Sequence, residues 1–377
     1  MEHAVIVGAG VMGCACALRL LQRGWRVTLL ERAVPGAESS ASAAGILGAQ
    51  SEVASAGPFL ELCLASRSRF RHYAQELAEL SHVSIDYETS GVLEVAMDAG
   101  EGRLVAARAA WMLDRGLRVE VLDRDQACRL EPGLNPQIIG ANYYPDDHQV
   151  DPDRLSRALA VAVSRLGGMF RGGTVTGLAR GQGCVTGVHV DHELIAADAV
   201  IIAAGAWSSR LAGVPPLRTE VKPLAGQIVQ LEQRPAQMRH VIYSCQGYVV
   251  PRTDGRVLLG STLEERGYDK AVTLDGVRRI TTMAADLVPG LRQARWITAW
   301  SGLRPATGDG LPLLGPTSLP GLFMATGHFR NGILLTPATG DIMAALVQQQ
   351  PLPEDLPSLK AFSPLPVTVA TGENHHG

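Results

Sequence analysis

The sequence has no excess of charge of either sign, and it has few cysteines. In 377 residues, 34 Lys and Arg stand against 37 Asp and Glu, which gives a formal net charge of −3. A protein that binds nucleic acid over a large surface usually carries a basic excess, so we do not expect that class. The six cysteines form no C-x-x-C pair, and a chain of this length needs no disulfide framework. We expect them to be reduced packing residues in the cytoplasm.

Long hydrophobic runs are also missing. The most apolar stretch, residues 4–21, contains three glycines, lacks the basic start of a signal peptide, and is interrupted by Arg19 before the roughly 20 apolar residues of a membrane span. No G-x-S-x-G elbow or Walker loop is present, and a strand would place His189 and His192 on opposite faces. We therefore expect a soluble protein with no membrane anchor and no metal site.

Glycine, in contrast, is abundant, and three glycines form a motif near the N-terminus. Gly8, Gly10 and Gly13 make a G-x-G-x-x-G turn between a β-branched run and a helical pattern. Glu31 ends the next strand pattern, 18 residues after Gly13. Such a helix N-terminus can hold a pyrophosphate, and such a carboxylate can accept hydrogen bonds from ribose hydroxyls. Residues 4–31 therefore predict a dinucleotide-binding βαβ unit.

The spacing of the later elements separates two possible dinucleotides. An NAD dehydrogenase usually completes one doubly wound half near its N-terminus, but here the next βα-like element comes only at residues 197–211. A flavin dinucleotide is favoured, with the loop at Ala203–Trp207 closing over it. Residues 39–48 are small and mostly apolar, and they offer bare backbone for close approach to a flat group.

The remaining patterns predict a two-part fold of α/β class. A buried parallel sheet takes strands from the start of the chain, from 198–204 and from 321–326, whereas alternating patterns predict antiparallel strands with one solvent-exposed face at 91–96, 228–232, 248–252 and 256–259. Helices are predicted at 59–80, at 152–166, and from Thr336 and Pro337 to about 347. We expect a Rossmann-like FAD-binding domain of the glutathione-reductase type, assembled from the discontinuous segments 1–85, 145–222 and 303–350. An α+β substrate-binding domain with a large, mainly antiparallel sheet would comprise 86–144 and 223–302, and 351–377 would be a loose tail.

Two arginines next to glycine or proline, in predicted turns, are candidate substrate ligands. Arg304 lies in Gly-Leu-Arg-Pro and Arg330 in Gly-His-Phe-Arg-Asn-Gly. A guanidinium can hold a carboxylate through two parallel hydrogen bonds. The alternative, an arginine that ties two loops together through backbone carbonyls, stays open, more so for Arg330. A helix starting at Thr336 could stabilise negative charge on a reduced flavin, or it could carry an ordinary cap.

These residues resemble a known family, the FAD-dependent amine oxidases of the D-amino-acid oxidase superfamily, and within it the glycine oxidases associated with thiamine biosynthesis. The resemblance covers roughly residues 3–347. Its most specific parts are Ser42–Ala49, Gly247–Arg252, Gly302–Pro305 with Asp309 and Gly310, and Gly327–Gly340.

The resemblance implies a cofactor and a set of site residues. Tyr248 and Arg304 would hold the substrate carboxylate, and Arg330 would order the pocket beside them. FAD would be bound non-covalently, because residues 302–316 contain no cysteine. The residues implied to contact FAD are Gly8, Gly10, Val11, Met12, Gly13, Glu31, Arg32, Ser42, Ala43, Ala44, Gly45, Leu47, Val175, Ala204, Gly205, Trp207, Arg304, His328, Arg330, Asn331, Gly332, Ile333 and Leu335.

The implied reaction is oxidative deamination of glycine, sarcosine or a small D-amino acid. Hydride would pass from the α-carbon to flavin N5 without a side-chain base, dioxygen would reoxidise the flavin and give hydrogen peroxide, and the imine would hydrolyse to an oxo acid and ammonia. The imine of glycine could instead supply the thiazole of thiamine. Relatives of this type imply a homotetramer. Ile46, Leu263 and Gln246 are our predictions for the pocket lining.

Two other functions fit the same fold. One is a D-amino-acid dehydrogenase that passes electrons to a membrane quinone, although no hydrophobic anchor or basic amphipathic helix favours it. The other is a non-catalytic flavin-binding subunit, or a domain acting on a modified RNA base, for which the charge balance is unfavourable.

Overall fold

Separate stretches of the chain supply one six-stranded sheet in the computed structural model, which describes residues 1–366. In spatial order the strands are β18 (Leu313–Pro316), β19 (Leu322–Thr326), β12 (Ala199–Ile202), β1 (His3–Val7), β2 (Arg26–Glu31) and β8 (Met169–Gly172). All neighbours are parallel except β18 and β19. The central strands are continuous apolar runs because both faces of the sheet are covered. The predicted sheet, drawn from the beginning, middle and end of the chain, is confirmed.

Helices cover one face of this sheet. The α-helices of residues 1–366 are α1 (Val11–Gln22), α2 (Pro58–Ser81), α3 (Ala99–Asp114), α4 (Arg124–Leu130), α5 (Pro152–Arg165), α6 (Leu274–Leu287) and α7 (Gly332–Val347). α1, α2, α5 and α7 form one core cluster with alternate residues of the strands, such as Ile6 and Leu29. The intervening residues, such as Val5 and Leu30, pack instead on a three-stranded sheet of β9 (Val175–Gly181), β10 (Cys184–Val190) and β11 (Glu193–Ala196).

A second large sheet has eight strands and is mainly antiparallel, as predicted. In spatial order these are β17 (Arg295–Ala306), β13 (Lys222–Glu232), β16 (Arg256–Gly260), β15 (Gly247–Pro251), β14 (Val241–Ser244), β4 (Val92–Ala96), β6 (Gly140–Tyr144) and β5 (Glu120–Asp123). Only β14 and β4 pair in parallel. A small ribbon of β3 (Ile46–Leu47) and β7 (His148–Gln149) completes the strands described.

The prediction of one solvent-exposed face for this sheet is wrong. β4 is buried along its whole length, and β15 and β16 are buried except for their first residues. One face packs on α6, and residues of the other face, such as Tyr248 and Leu258, join a second cluster with Ala44 and Ile46. The division of the chain into two domains stays a prediction. β17 runs through the proposed boundary at 302/303, so that boundary falls inside a strand.

The last long helix starts earlier than predicted. α7 begins at Gly332, and Pro337 lies inside it instead of in its first turn. Proline has no N–H and its ring clashes with the carbonyl four residues earlier, so it interrupts the regular hydrogen bonds of the helix. Ser66 of α2 provides hydrogen bonds at this point: its hydroxyl donates to the carbonyl of Leu334 at 2.7 Å and accepts from the N–H of Ala338 at 3.3 Å. A neighbouring helix therefore allows the proline to stay inside α7.

The predicted loose tail is also wrong for its first part. Phe362 is fully buried in the main core, and Asp355 pairs with Arg69 at 2.6 Å. The carbonyl of Ser363 accepts from Arg218 at 2.9 Å. Residues 367–377, with His375 and His376, lie outside the described residues. Within residues 1–366, no helix combines the length and the apolar character needed to cross a bilayer.

Candidate active site

One elongated cavity of about 460 Å³ connects the two large sheets. At one end it is lined by residues that follow the carboxyl ends of parallel strands, such as Gly8 after β1 and Glu31 at the end of β2. At the other end it is lined by strands of the eight-stranded sheet, through Ile228, Tyr248 and Arg304. The edge of a parallel sheet at its carboxyl ends is a common place for a dinucleotide.

The glycine-rich turn has the shape that its sequence predicts. Gly8 has a φ of +102°, and a Cβ there would lie 2.5 Å from the carbonyl oxygen of Ala203. Gly8 and Gly10 line the cavity, and Gly10 precedes the first turn of α1. Gly13 does not line it; a side chain there would overlap the carbonyl of Gly8, so this glycine permits close packing of helix on turn. The turn therefore presents bare backbone and a helix N-terminus to the cavity.

Glu31 is held in place beside this turn. Its two carboxylate oxygens accept from the N–H of Ala9 at 3.0 Å and from the N–H of Ala33 at 3.1 Å. The guanidinium of Arg32 stacks over the ring of Trp207, 4.0 Å from its centroid. These side chains form the polar end of the cavity, where hydroxyls and a flat ring system could be accommodated.

The small-residue stretch forms the wall in the middle of the cavity. Ser42, Ala43, Ala44 and Gly45 all line it. A Cβ on Gly302 would lie 2.5 Å from Cβ of Ser42, so strand β17 approaches this stretch as closely as glycine allows. A flat group could lie against this wall.

Arg304 projects from strand β17, not from the predicted turn. Its guanidinium donates to Ser261 Oγ at 2.6 Å and to the carbonyl of Thr262 at 3.2 Å. It lies over Gly226 of the neighbouring strand, where any side chain would overlap it. Burial lowers the pKa of Arg304. Among the described residues no carboxylate lies within 4.0 Å of its nitrogens, so its positive charge is available to an anionic group in the cavity.

Arg330 is arranged differently. Its Nη2 donates to the hydroxyl of Tyr243 at 2.8 Å and lies 3.5 Å from Oε1 of Glu52. The charge of Glu52 raises the pKa of Arg330, and burial raises the pKa of Glu52. Sequence reasoning missed Glu52, because its partner Arg330 is far away in the sequence.

A known protein family matches almost the whole chain. The model of the FAD dependent oxidoreductase family (DAO) matches residues 3–346. The chain belongs to that family. It is 36% identical to a glycine oxidase of Geobacillus kaustophilus over 93% of this chain and 94% of the relative. It is 34% identical to the bifunctional protein ThiO/ThiG of a Synechocystis strain, over 96% of this chain and 53% of that protein. The crystal structure of the Geobacillus glycine oxidase superposes with a TM-score of 0.91 at 34% identity, covering 97% and 99% of the two chains.

This oxidoreductase is a flavoenzyme of the amino-acid oxidase class, with FAD as its cofactor. The cavity fits FAD: Gly8, Gly10 and Glu31 would hold the ADP half, and the bare wall at Ala43–Gly45 would receive the ring. No cysteine lines the cavity in the described part of the chain, and non-covalent binding of FAD stays a prediction.

Most residues assigned to FAD from the resemblance line this cavity in the oxidoreductase. They are Gly8, Gly10, Val11, Met12, Glu31, Arg32, Ser42, Ala43, Ala44, Gly45, Val175, Ala204, Gly205, Trp207, Arg304, His328, Arg330, Gly332 and Ile333. Leu47 and Leu335 are instead fully buried in the core. Asn331 precedes α7 and donates to Cys63 Sγ at 3.7 Å. These three residues and Gly13 do not line the cavity.

His328 is a neutral base in the lining. It is buried, and its Nε2 lies 3.0 Å from Thr339 Oγ1. Burial lowers the pKa of His328 to about 3. The ring therefore stays uncharged near neutral pH.

Of the three residues predicted to line the substrate pocket, only Ile46 does so. Leu263 is 57% exposed and Gln246 is exposed, because both lie in loops outside the cavity. Ser39, Ser40 and Ala203 also line it, within segments that the sequence predicted to approach the cofactor. Lining residues that the sequence did not reveal are Val7, Leu30, Glu38, Glu52, Gly173, Thr174, Arg210, Leu211, Gly226, Ile228, Gly302, Leu303, Pro305, Ala325, Thr326 and Phe329. Many of these are glycines, small residues or aliphatic residues, whose types alone do not indicate a site.

Proposed function

We propose that the enzyme oxidises glycine, or a similarly small amine such as sarcosine or a small D-amino acid, with dioxygen as the electron acceptor. The observation that carries the proposal is Arg304: a guanidinium with only neutral hydrogen-bond partners, facing a cavity beside Tyr248. A substrate carboxylate would complete the hydrogen bonding of Arg304 and neutralise its charge. The similarity to glycine oxidases supports the choice of substrate.

The side chains of this chain bind and orient the substrate. Arg304 and Tyr248 would fix its carboxylate, and the apolar side chains of Ile46 and Ile228 would limit its size. Bound FAD supplies the acceptor for the hydride of the α-carbon. Positioning provides most of the rate in such a reaction, and neither Arg304 nor the neutral His328 is required as a base on that carbon. The products would be an oxo acid, hydrogen peroxide and ammonia, or methylamine in place of ammonia when the substrate is sarcosine.

We also propose a physiological role for the enzyme in thiamine biosynthesis. The similarity to ThiO/ThiG supports a role in supplying the glycine imine for the thiazole of thiamine. A cytoplasmic homotetramer is our expectation for the protein in the cell, and light scattering of the purified protein would test the oligomeric state.

The decisive experiment measures peroxide formation and oxygen uptake by the purified protein with glycine, sarcosine and D-alanine. Arg304→Ala should raise KM by about 30- to 5,000-fold, because a buried charge-assisted contact is worth roughly 2–5 kcal/mol, while the absorbance of bound FAD persists. Arg278→Ala, at an exposed position of α6, is the matched control and should leave KM unchanged. Dye reduction without oxygen uptake would assign the chain to the quinone-dependent dehydrogenases instead.

A further inference from the structure

Two arginines face the substrate end of the cavity, but only one has an acidic partner. Arg304 donates to neutral oxygens of Ser261 and Thr262. Arg330 lies 3.5 Å from the carboxylate of Glu52. Both guanidinium groups line the same cavity, and burial together with the charge of Arg330 lowers the pKa of Arg304. The two arginines are therefore not equivalent toward an anionic ligand.

Glu52 is the only carboxylate at this end of the cavity within the described chain. The other two carboxylates that line it are Glu31, bonded to backbone N–H groups, and Glu38, paired with Lys270 at 3.0 Å, both at the dinucleotide end. The side chain of Glu52 is only 7% exposed. A carboxylate this far from water is stabilised mainly by a nearby positive charge.

The fold holds Glu52 firmly in this place. The preceding turn is anchored by Asp147, which is fully buried and accepts from the N–H of Ser51 at 2.7 Å and from Arg67 at 2.7 Å. Arg108 donates to the carbonyl of Ser51 at 2.7 Å. These contacts fix the backbone that precedes Glu52, whose side chain then reaches to within 3.5 Å of Arg330.

The charges of these three side chains sum to one net positive charge. One substrate carboxylate neutralises this charge, whereas a second carboxylate would meet Glu52 as a like charge. We propose that Glu52 is a specificity-determining residue, which pairs with Arg330 and so restricts the pocket to amines that carry a single carboxylate. This inference rests on the proposed function. Removing the charge of Glu52 would free Arg330 to receive the second carboxylate.

The test compares ligands that differ only in the second carboxylate. Acetate and malonate are unreactive, and their binding to the holoenzyme is measured through the absorbance of bound FAD; sarcosine and iminodiacetate are the corresponding amines for kinetics. In the unmodified enzyme, acetate should bind at least about tenfold more tightly than malonate. Glu52→Gln should reduce that ratio about tenfold or more, and it should lower KM for iminodiacetate relative to sarcosine. Glu79→Gln, which removes the same charge from an exposed position of α2, should leave both ratios unchanged.

Several results would overturn the inference. Equal binding of acetate and malonate by the unmodified enzyme would do so without any variant. An unchanged ratio in Glu52→Gln would also do so, as would an equal loss of sarcosine and iminodiacetate turnover, because Glu52 would then contact the amine that both share. The double variant Glu52→Gln/Arg330→Gln should lose the tighter malonate binding that is expected for Glu52→Gln. If the double variant still bound malonate more tightly, Arg330 would be excluded as the group that receives the second carboxylate. If the unmodified enzyme neither binds acetate nor oxidises sarcosine or glycine, the proposed function itself fails.

Discussion

At the scale of single residues, Gly226 sets the position of the substrate-binding guanidinium. Arg304 lies flat over it, and any side chain at 226 would overlap the guanidinium. Gly226→Ala should displace Arg304 and raise KM for the amino acid about tenfold or more, because a displaced guanidinium loses its directional hydrogen bonds to the substrate carboxylate. FAD should still bind, because Gly8, Gly10 and Glu31 are untouched. Steady-state kinetics and a flavin spectrum measure the two effects.

Gly172→Ala is the control for a glycine replacement in a strand. A Cβ at Gly172 meets nothing within 4 Å. We expect its KM to match that of the unmodified enzyme. An unchanged KM in Gly226→Ala would show that Arg304 can move without loss of substrate binding. It would contradict the inference that Gly226 fixes the position of the guanidinium.

His328 makes stability depend on pH. Burial lowers the pKa of His328 to about 3 in the folded protein, from an ordinary value of 6.5. Between these values the unfolded chain binds a proton at this ring and the folded chain does not, so the free energy of unfolding falls as the pH is lowered. The contribution is about 1.4 kcal/mol per pH unit. His328→Gln, which can keep the hydrogen bond to Thr339, should show a correspondingly shallower slope between pH 6.5 and 4.5.

Denaturant unfolding at several pH values, with FAD in excess, measures this slope. The control His192→Gln changes an exposed histidine, whose ring is hydrated in both states, and it should leave the slope as it is. A slope that is equally steep in His328→Gln would mean that other groups account for the acid sensitivity.

Residue identity predicted part of the site. Arg304, Gly8 and Gly10 carry distinctive chemistry or occur in a recognisable motif, Tyr248 was implied by the family resemblance, and all four line the cavity. Glu52 and Gly226 could not be found in this way. Their importance comes from the partner across the cavity, Arg330 for one and Arg304 for the other, and such partners are far apart in sequence.

At the scale of elements, α7 depends on a side chain from another helix. The hydroxyl of Ser66 lies between the carbonyl of Leu334 and the N–H of Ala338, next to Pro337. Ser66→Ala would leave both buried backbone groups without this partner, so we expect a loss of about 1–3 kcal/mol in the free energy of unfolding. The matched control is Ser68→Ala in the same helix, whose exposed hydroxyl bonds only within α2. Similar stability of the two variants would contradict the bridging role of Ser66.

The start of α7 shows why this element was predicted incorrectly. Proline favours the first turn of a helix, so Thr336 and Pro337 predicted a start there. The helix begins four residues earlier because Ser66 compensates for the proline. Local sequence does predict α5, where Asp151 caps the helix by accepting from the N–H groups of Asp153 and Arg154. The difference is that the Asp151 cap is local and the Ser66 contact is not.

At the scale of the whole molecule, the order of apolar runs predicted the parallel sheet, because strands buried on both faces are continuous runs of apolar residues. The same logic failed for the eight-stranded sheet. Alternation in β4 and β15 predicted an exposed face, but that face packs against other parts of the chain. Burial on a second face is decided by long-range packing, which the pattern of one strand does not contain.

A segment that follows a strand of the eight-stranded sheet contacts residues at the dinucleotide end of the cavity. The cover segment, residues 261–271, follows β16 and reaches the dinucleotide end of the cavity. There Lys270 pairs with Glu38 at 3.0 Å, and the hydroxyl of Tyr268 donates to the carbonyl of Ala206 at 2.9 Å. The rings of Tyr268 and Trp207 have their centroids 5.5 Å apart. We therefore expect these contacts to slow the release of FAD.

Tyr268→Ala removes both the ring contact and the hydrogen bond, so FAD should dissociate about tenfold or more faster, whereas Tyr268→Phe, which keeps the ring, should show a smaller effect. The fluorescence of FAD released after dilution measures the rate. High salt should also speed release in the unmodified enzyme, because the pair between Lys270 and Glu38 is partly exposed and therefore screened. A release rate that responds to neither Tyr268→Ala nor salt would show that FAD leaves by a route that bypasses the cover segment. A response to Tyr268→Ala alone would assign the closure to the aromatic contact and leave the ion pair without a role in it.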